Sequence, residues 1–458
     1  MAGRDLAPVH VVGGGLAGSE AALQLAGFGL SVILHEMRPV RATPVHRGGD
    51  LAQIVCSNSL KSTEPTTASG AFKTELGRLG CRLLELAARE AVPAGSALAV
   101  DRERFSARVA AALAAAPGVE LRREPVDALP RASASPWIVA TGPLTDDALR
   151  EDLGRLTGSA GLHFYDAIAP TVTLESLDQT RLYRAARYDR GEADYLNIPL
   201  DRDQYRAFVA ELLAAERAGV QEFDRSELFE GCMPVEEIAA SGPDTLAFGP
   251  LRPVGLRDPG TGRQPHAVVQ LRQENAEGTL YGLVGFQTRL KQGEQRRVFR
   301  ALPGLQNAEF VRYGQLHRNF YLDTPRVLAP DFSLPAHPHL RFAGQITGVE
   351  GYVESIASGL WTAWRTAADV LGLALPPLPP TTLLGALLEG FLRDDTSSRL
   401  APMNVHFGLL PRLTDGPRGR RGKHDRKLIL TGRATADLDA WLAHPQVRRL
   451  LDRRAGGC

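Results

Sequence analysis

The stretch "PVHVVGGGLAGSEAALQLAGFGLSVILHEMR" opens on a short apolar run and turns on glycines; Ala and Leu at helical spacing follow, and a second apolar run ends at Glu36. That order predicts strand, turn, helix and strand: one βαβ unit of the length such a unit needs. Downstream, "RATPVHRGGDLAQIVCSNSLKSTEPTTASG" is rich in Gly, Ser, Thr and Pro and predicts a long functional loop. In "GAFKTELGRLGCRLLELAAREA", Leu76, Leu79, Leu83 and Ala87 recur at helical spacing and predict one amphipathic helix. "PWIVATGP", Pro136 to Pro143, reads as a short buried strand returning to the first sheet.

From about Gly161 to Phe320 the pattern changes to short strands and loops with many aromatics and arginines, broken by the helical piece "RDQYRAFVAELLAAERAG". "LRFAGQITGVEGYVESIASGLWTAWRTAADVLG" then returns to strand, glycine turn and long helix. The fold class expected is α/β: a Rossmann-like dinucleotide-binding domain formed by residues 1–160 and 321–375, with an α+β substrate domain inserted at 161–320. "LALPPLPPTTL" reads as a proline-rich linker, so residues 376–458 are expected to be linker and a helical, basic C-terminal tail.

A chain of 458 residues exceeds what one core normally holds, in keeping with two domains and an extension. With 53 Lys and Arg against 52 Asp and Glu, any nucleic-acid partner must be met by a local basic patch. One such patch runs from Pro411 to Lys427, with seven basic and two acidic residues; Arg418, Arg420, Arg421 and Lys423 are its candidate phosphate contacts, to RNA if the partner is RNA. The cysteines Cys56, Cys81, Cys232 and Cys458 lie far apart, which argues against a disulfide framework and a metal site. There is no signal-peptide pattern at the start and no apolar run of spanning length, so the expectation is a cytoplasmic protein with reduced thiols and no membrane partner.

Gly13-Gly14-Gly15-Leu16-Ala17-Gly18 satisfies G-x-G-x-x-G directly after a strand and at the start of a helix. Gly13 suits the sharp turn, Gly15 the approach of a pyrophosphate and Gly18 the close packing of helix on strand. Glu36 follows Gly13 by 23 residues, where a carboxylate can accept from a ribose diol. The distant segment "GQITGVEGYVESIASGL" repeats strand, glycines and helix start, with Gly344, Gln345, Gly348 and Tyr352 as candidates for a second contact. Two separated glycine turns suit the two ends of a long dinucleotide, and FAD is favoured over NAD as the bound cofactor.

With "VVGGGLAGSEAA", "VCSNSLKS", "FEGCMPVEE", "VGFQTRLKQGEQRRVF", "NAEFVRYGQLHRN" and "GQITGVEGYVESIASGL" in this order, the chain resembles the folate- and FAD-dependent tRNA (uracil-5-)-methyltransferases, from about residue 8 to about residue 410. The last segment is shared with related flavoproteins that modify the wobble uridine. The resemblance implies methylation of a T-loop uridine to ribothymidine, with 5,10-methylenetetrahydrofolate as one-carbon donor and NADH or NADPH as reductant through FAD. It also implies that Cys56 and Cys232 are the functional thiols. The tail follows the family poorly, and the family's "NFGL" stands here as His406-Phe407-Gly408-Leu409.

Uracil C5 is a poor nucleophile until a thiolate adds to C6 and turns the ring into an enolate. Gly231 and Pro234 bracket Cys232, a setting for a rigid, exposed turn, so Cys232 is the candidate nucleophile. Cys56 is the candidate general acid or base, with the reverse assignment open. Glu236 and Glu237 read as a solvated pair at a helix start, and Cys81 as a small core residue within a helix. His317 and Tyr352 are candidates to stack a pterin. The cations of "TRLKQGEQRR" (Arg289, Lys291, Arg296, Arg297) suit a folate glutamate tail, a cofactor phosphate or RNA. Competing readings are a wobble-uridine modifier and an NAD(P)H-dependent thiol oxidoreductase without an RNA substrate.

Overall fold

The computed structural model describes residues 6–189, 192–218, 233–396, 400–414, 417 and 422–455. Its first sheet runs in the order 333–334, 337–342, 137–139, 9–12, 32–35, 119–122. All neighbours pair in parallel except the first two strands. Val9, Val11, Val32 and Leu34 are buried on one face of this sheet, as the apolar runs require. The helix Leu16–Gly27 connects the first two strands, and the long helix Tyr352–Val370 packs across it. A Cβ on Gly359 would run into the backbone of Ala17, so glycine sets how closely these helices approach. Trp364 Nε1 donates to Gln24 Oε1 at 3.1 Å across the same contact.

A second, antiparallel sheet runs in the order 183–185, 195–200, 267–273, 280–283, 171–173, 310–312. Its apolar residues, from Val172 to Ala308, form a core separate from the larger one. The helix Arg202–Ala214 packs on that core and starts with a capping box, in which Asp201 and Gln204 bond each other's backbone N–H. Two antiparallel strands, Leu162–Ala167 and Leu316–Tyr321, carry the chain between the two bodies, with His317 opposite Asp166. A small three-stranded sheet runs in the order 59–62, 97–100, 91–92.

Three local expectations are corrected. The single amphipathic helix is two, Ala68–Arg78 and Arg82–Arg89, broken where Gly80 takes φ +71°. Cys81 is thus the N-cap residue of the second helix, although it is buried as expected. Part of the long Gly/Ser/Thr loop is a strand, Ser59–Ser62. The proline-rich segment is docked: Leu378 is buried, Trp441 Nε1 donates to Pro376 O at 3.2 Å, and Glu75 accepts from the backbone of Leu383 and Leu384. Helices Lys423–Leu442 and Pro445–Ala455 complete the C-terminal part. Among the described residues no helix is long and apolar enough to cross a membrane.

Candidate active site

The turn after the first strand is built on Gly13 at φ +104°, where a Cβ would lie 2.6 Å from Ala140 O. A Cβ on Gly18 would meet Gly13 O, so the helix start is pressed onto the turn. Gly15 differs: a Cβ there meets nothing within 4 Å, because it faces a cleft. The cleft has about 1110 Å³ of empty space, counting the part open to solvent, and runs from Glu36 and Arg38 past Gly13, Gly15 and Ala17 to Gly344, Gln345, Tyr352 and His317. Gly14, Gly18 and Gly348 do not line it; a Cβ on them would meet Leu51, Gly13 O and Leu400 respectively. No side chain caps either helix that starts at it, at Gly15 or at Gly351.

These features fit a dinucleotide. Two uncapped helix starts offer N–H groups to phosphates, and the space in front of Gly15 is what a pyrophosphate needs. Arg38 Nη1 is buried at the cleft with no hydrogen-bond partner, a donor awaiting an acceptor. Glu36 is more constrained than its position in the sequence implies. Its oxygens accept from Gly14 N at 2.9 Å, Arg38 N at 2.9 Å and Arg38 Nε at 2.8 Å. Burial opposes its ionisation, yet bonding and charge from Arg38 hold it below the usual carboxylate range. A ribose diol would share Glu36 with Arg38.

Cys56 lies beside the far end of the cleft. Its Sγ is 2.8 Å from Tyr352 Oη, which also accepts from Cys56 N at 2.9 Å and Ser57 N at 3.2 Å. Burial, with the charge of Asp166, pushes the Cys56 thiol up to about 12, and the Tyr352 hydrogen bond opposes that shift. Three arginines hold the loop. Arg102 donates to Ile54 O at 3.0 Å and Val55 O at 3.2 Å, and pairs with Glu274 at 2.9 Å. Arg272 reaches Asn58 Oδ1 at 2.8 Å and Ser57 Oγ at 2.7 Å, and Arg312 reaches Val55 O at 3.0 Å. Arg272, Glu274 and Arg312 come from the antiparallel body, so both bodies build the thiol's surroundings.

Asp166, Glu350 and His317 surround the same end. His317 Nε2 lies 3.9 Å from Asp166 Oδ2, and His317 Nδ1 is buried without a hydrogen-bond partner. Burial depresses the His317 imidazole, with Asp166 acting in the opposite sense. Glu350 accepts from Gln345 Nε2 at 2.6 Å; burial and then the charges of Asp166 and Glu354 push its carboxyl well above the usual range.

Cys232 and Gly231 lie outside the described residues, as do Arg418, Arg420 and Arg421; Lys423 begins a helix. Glu236 and Glu237 are buried, contrary to a solvated pair: Glu236 accepts from Thr288 Oγ1 at 2.9 Å and Arg289 N at 2.8 Å, and Glu237 pairs with Arg289 at 2.6 Å. The other cations of that segment are also engaged. Lys291 pairs with Glu216 at 2.6 Å, Arg297 with Glu211 and Glu294, and Arg296 Nη2 donates to the Tyr313 hydroxyl at 2.8 Å. Sequence reasoning missed Arg102, Arg272, Arg312, Asp166 and Glu350. Only Arg312 and Glu350 lay inside motifs already singled out, and no spacing links any of the five to Cys56. Among the described residues no group of three or more His, Cys, Asp or Glu is arranged to hold a metal.

Fold and cleft together define a two-body, FAD-type dinucleotide-binding protein. The family described as "Glucose inhibited division protein A" matches residues 8–374. Solved structures with the same fold include GidA of Aquifex aeolicus, at TM-score 0.66 and 15% identity over 97% of this chain and 75% of that one. Among curated relatives, methylenetetrahydrofolate--tRNA-(uracil-5-)-methyltransferase TrmFO of Moorella thermoacetica is 52% identical over 94% of this chain and 97% of its own. The proteins of the same name from Rhodospirillum rubrum and Geobacter sulfurreducens are each 51% identical, over 96% and 95% of this chain and 93% and 99% of their own. The chain belongs to this methyltransferase family, within the wider glucose inhibited division protein A family.

Proposed function

We propose that the protein is an FAD-dependent methyltransferase of tRNA. It transfers the one-carbon unit of 5,10-methylenetetrahydrofolate to uracil C5 of the T-loop uridine, with NADH or NADPH as reductant, in the cytoplasm. The observation that carries this reading is a thiol, Cys56, held by Tyr352 at the wall of a two-ended dinucleotide cleft, in a chain 52% identical to a curated enzyme of that name.

When bound, FAD supplies the redox chemistry that joins the reductant to the one-carbon unit. Gly13, Gly15 and Ala17 with the first helix start would hold its pyrophosphate, Glu36 and Arg38 its ribose end, and Gly344, Gln345 and Tyr352 its other end. Glycines 14, 18 and 348 shape the two turns without lining the cleft. His317, buried at the same end, would pack against the pterin.

Hydrogen-bond geometry supports proton handling by Cys56. The Tyr352 phenol oxygen already accepts two backbone N–H groups, so its one hydrogen is left for Sγ. The sulfur is then the acceptor in that pair, and its own hydrogen points elsewhere. With its pKa raised to about 12, Cys56 is a neutral thiol near pH 7: it is poorly suited to attack C6, it can donate a proton as it stands, and it must pass its own proton on before it can take one from C5. In this reading the attack on C6 is assigned to Cys232, on its sequence setting between Gly231 and Pro234. Residues 161–320 form the substrate-facing domain in this reading, supported by their separate core and by the arginines they send to the Cys56 loop. The test is transfer of label from methylenetetrahydrofolate to unmodified tRNA by the holoenzyme, with Cys232→Ala and Cys56→Ala beside it.

A further inference from the structure

Of the three arginines that hold the Cys56 loop, Arg102 is paired with Glu274 and Arg272 bonds two side-chain oxygens, Asn58 Oδ1 and Ser57 Oγ, whereas Arg312 reaches only a backbone carbonyl. Arg312 makes one hydrogen bond, from Nη1 to Val55 O at 3.0 Å, and among the described residues no carboxylate pairs with it. Glu274, the nearby acid, is already engaged by Arg102 and by the Thr171 hydroxyl at 2.9 Å. Burial and the charge of Arg102 lower the Arg312 guanidinium to about 10, with the charge of Glu274 acting in the opposite sense. A partly buried cation with no ion pair of its own is costly, and an anion that reaches it offsets that cost.

Its place in the fold is specific. Arg312 ends the edge strand 310–312, where the pairing with 171–173 shifts register between Phe310 and Arg312. Such an irregularity turns a side chain out of the ladder's regular direction. Here the guanidinium is turned to the residue just before Cys56, and Val55 itself lines the cleft.

We propose that Arg312 is the cation that receives the negative charge developed on the pyrimidine. This rests on the methyltransferase reading. When a thiolate adds to C6, the C5–C6 π bond is consumed and the electron pair moves to the C4 carbonyl oxygen as an enolate. Arg312 donates a hydrogen bond to that oxygen without giving up its proton. As C5 bonds to the one-carbon unit, the C4 carbonyl re-forms and the charge leaves Arg312. Fixed donors aimed at developing oxyanions typically contribute about 100-fold or more in rate.

The experiment is single-turnover methyl transfer by holoenzyme at saturating tRNA for wild type, Arg312→Gln, Arg312→Lys and Arg312→Ala, with flavin content and tRNA affinity measured on each. The expected result is a fall of about 100-fold in the rate for Arg312→Gln. Flavin content and tRNA affinity should stay at wild-type levels, Arg312→Lys should retain more activity, and added guanidinium should partly rescue Arg312→Ala. A full rate in Arg312→Gln, a loss confined to tRNA affinity, a loss that follows flavin content, or no rescue of Arg312→Ala would each overturn the assignment. Wild type separates two failures: if it does not methylate tRNA the functional reading falls, whereas equal methylation by wild type and Arg312→Gln removes only the role of Arg312.

Discussion

A phenol oxygen can accept two N–H groups and donate one hydrogen, and Tyr352 directs all three at Cys56 and Ser57. The hydroxyl therefore sets both the shape of the loop and the electronic state of the sulfur. Tyr352→Phe is expected to lower methyl transfer by about 100-fold, the order found for losing one positioned donor near a reacting group, with flavin content unchanged because the ring that faces the cofactor is kept. Wild-type activity in that variant would contradict the role given to the hydroxyl. The raised pKa has its own signature, because only the thiolate is alkylated. At a given pH a higher thiol pKa leaves less thiolate, so alkylation of Cys56 should rise about tenfold per pH unit up to pH 9 without a plateau. Peptide mass spectrometry after timed iodoacetamide treatment reads this, and a plateau near neutral pH would show a thiolate already present. The sequence singled out Cys56 and Tyr352 separately but not as partners, since 296 residues separate them.

At the level of elements, the dinucleotide turn was fully legible because its logic is local: strand, glycines and helix start are contiguous from Val9 to Gly27. Features that depend on distant partners were not. Glu236 and Glu237 have the composition of a solvated helix start, and only the fold brings Thr288 and Arg289 against them. The helix break before Arg82 had a local signal in Gly80, which the apolar periodicity running through it concealed. The two glycines of the first turn make opposite predictions. Gly15→Ala adds a Cβ that meets nothing in the protein but enters the space assigned to the pyrophosphate, so flavin content should fall while the melting temperature of flavin-free protein stays unchanged. Gly18→Ala forces a Cβ into Gly13 O and should lower that melting temperature. Absorbance of bound flavin and thermal melts of both variants test this; full flavin content in Gly15→Ala would contradict the placement.

The whole molecule joins a parallel-sheet body, which carries the cleft, to an antiparallel body that supplies Arg272, Glu274 and Arg312 to the cysteine loop. The change in texture near residue 161 points to a second body, but which residues meet across the two depends on strand register and was not legible. The proline-rich stretch had the composition of a free linker; Leu378 and Trp441 instead bury it against the cleft-bearing body. Near-zero net charge leaves tRNA attraction to local patches, of which 411–427 is the densest in basic residues. Replacing Arg418, Arg420, Arg421 and Lys423 by Gln should weaken tRNA binding and flatten its salt dependence, by just under one unit of slope for each phosphate no longer neutralised, with flavin content unchanged. An unchanged slope in a salt titration would remove this segment from the RNA interface.

The central claim is that a thiol and a cofactor cleft act together on tRNA uracil. It is tested most directly by incubating the holoenzyme with unmodified tRNA, isotopically labelled methylenetetrahydrofolate and NADH or NADPH, in parallel for wild type, Cys232→Ala and Cys56→Ala. The account predicts label in ribothymidine for wild type and its loss in both variants. NAD(P)H oxidation by wild type without label in the tRNA would contradict it.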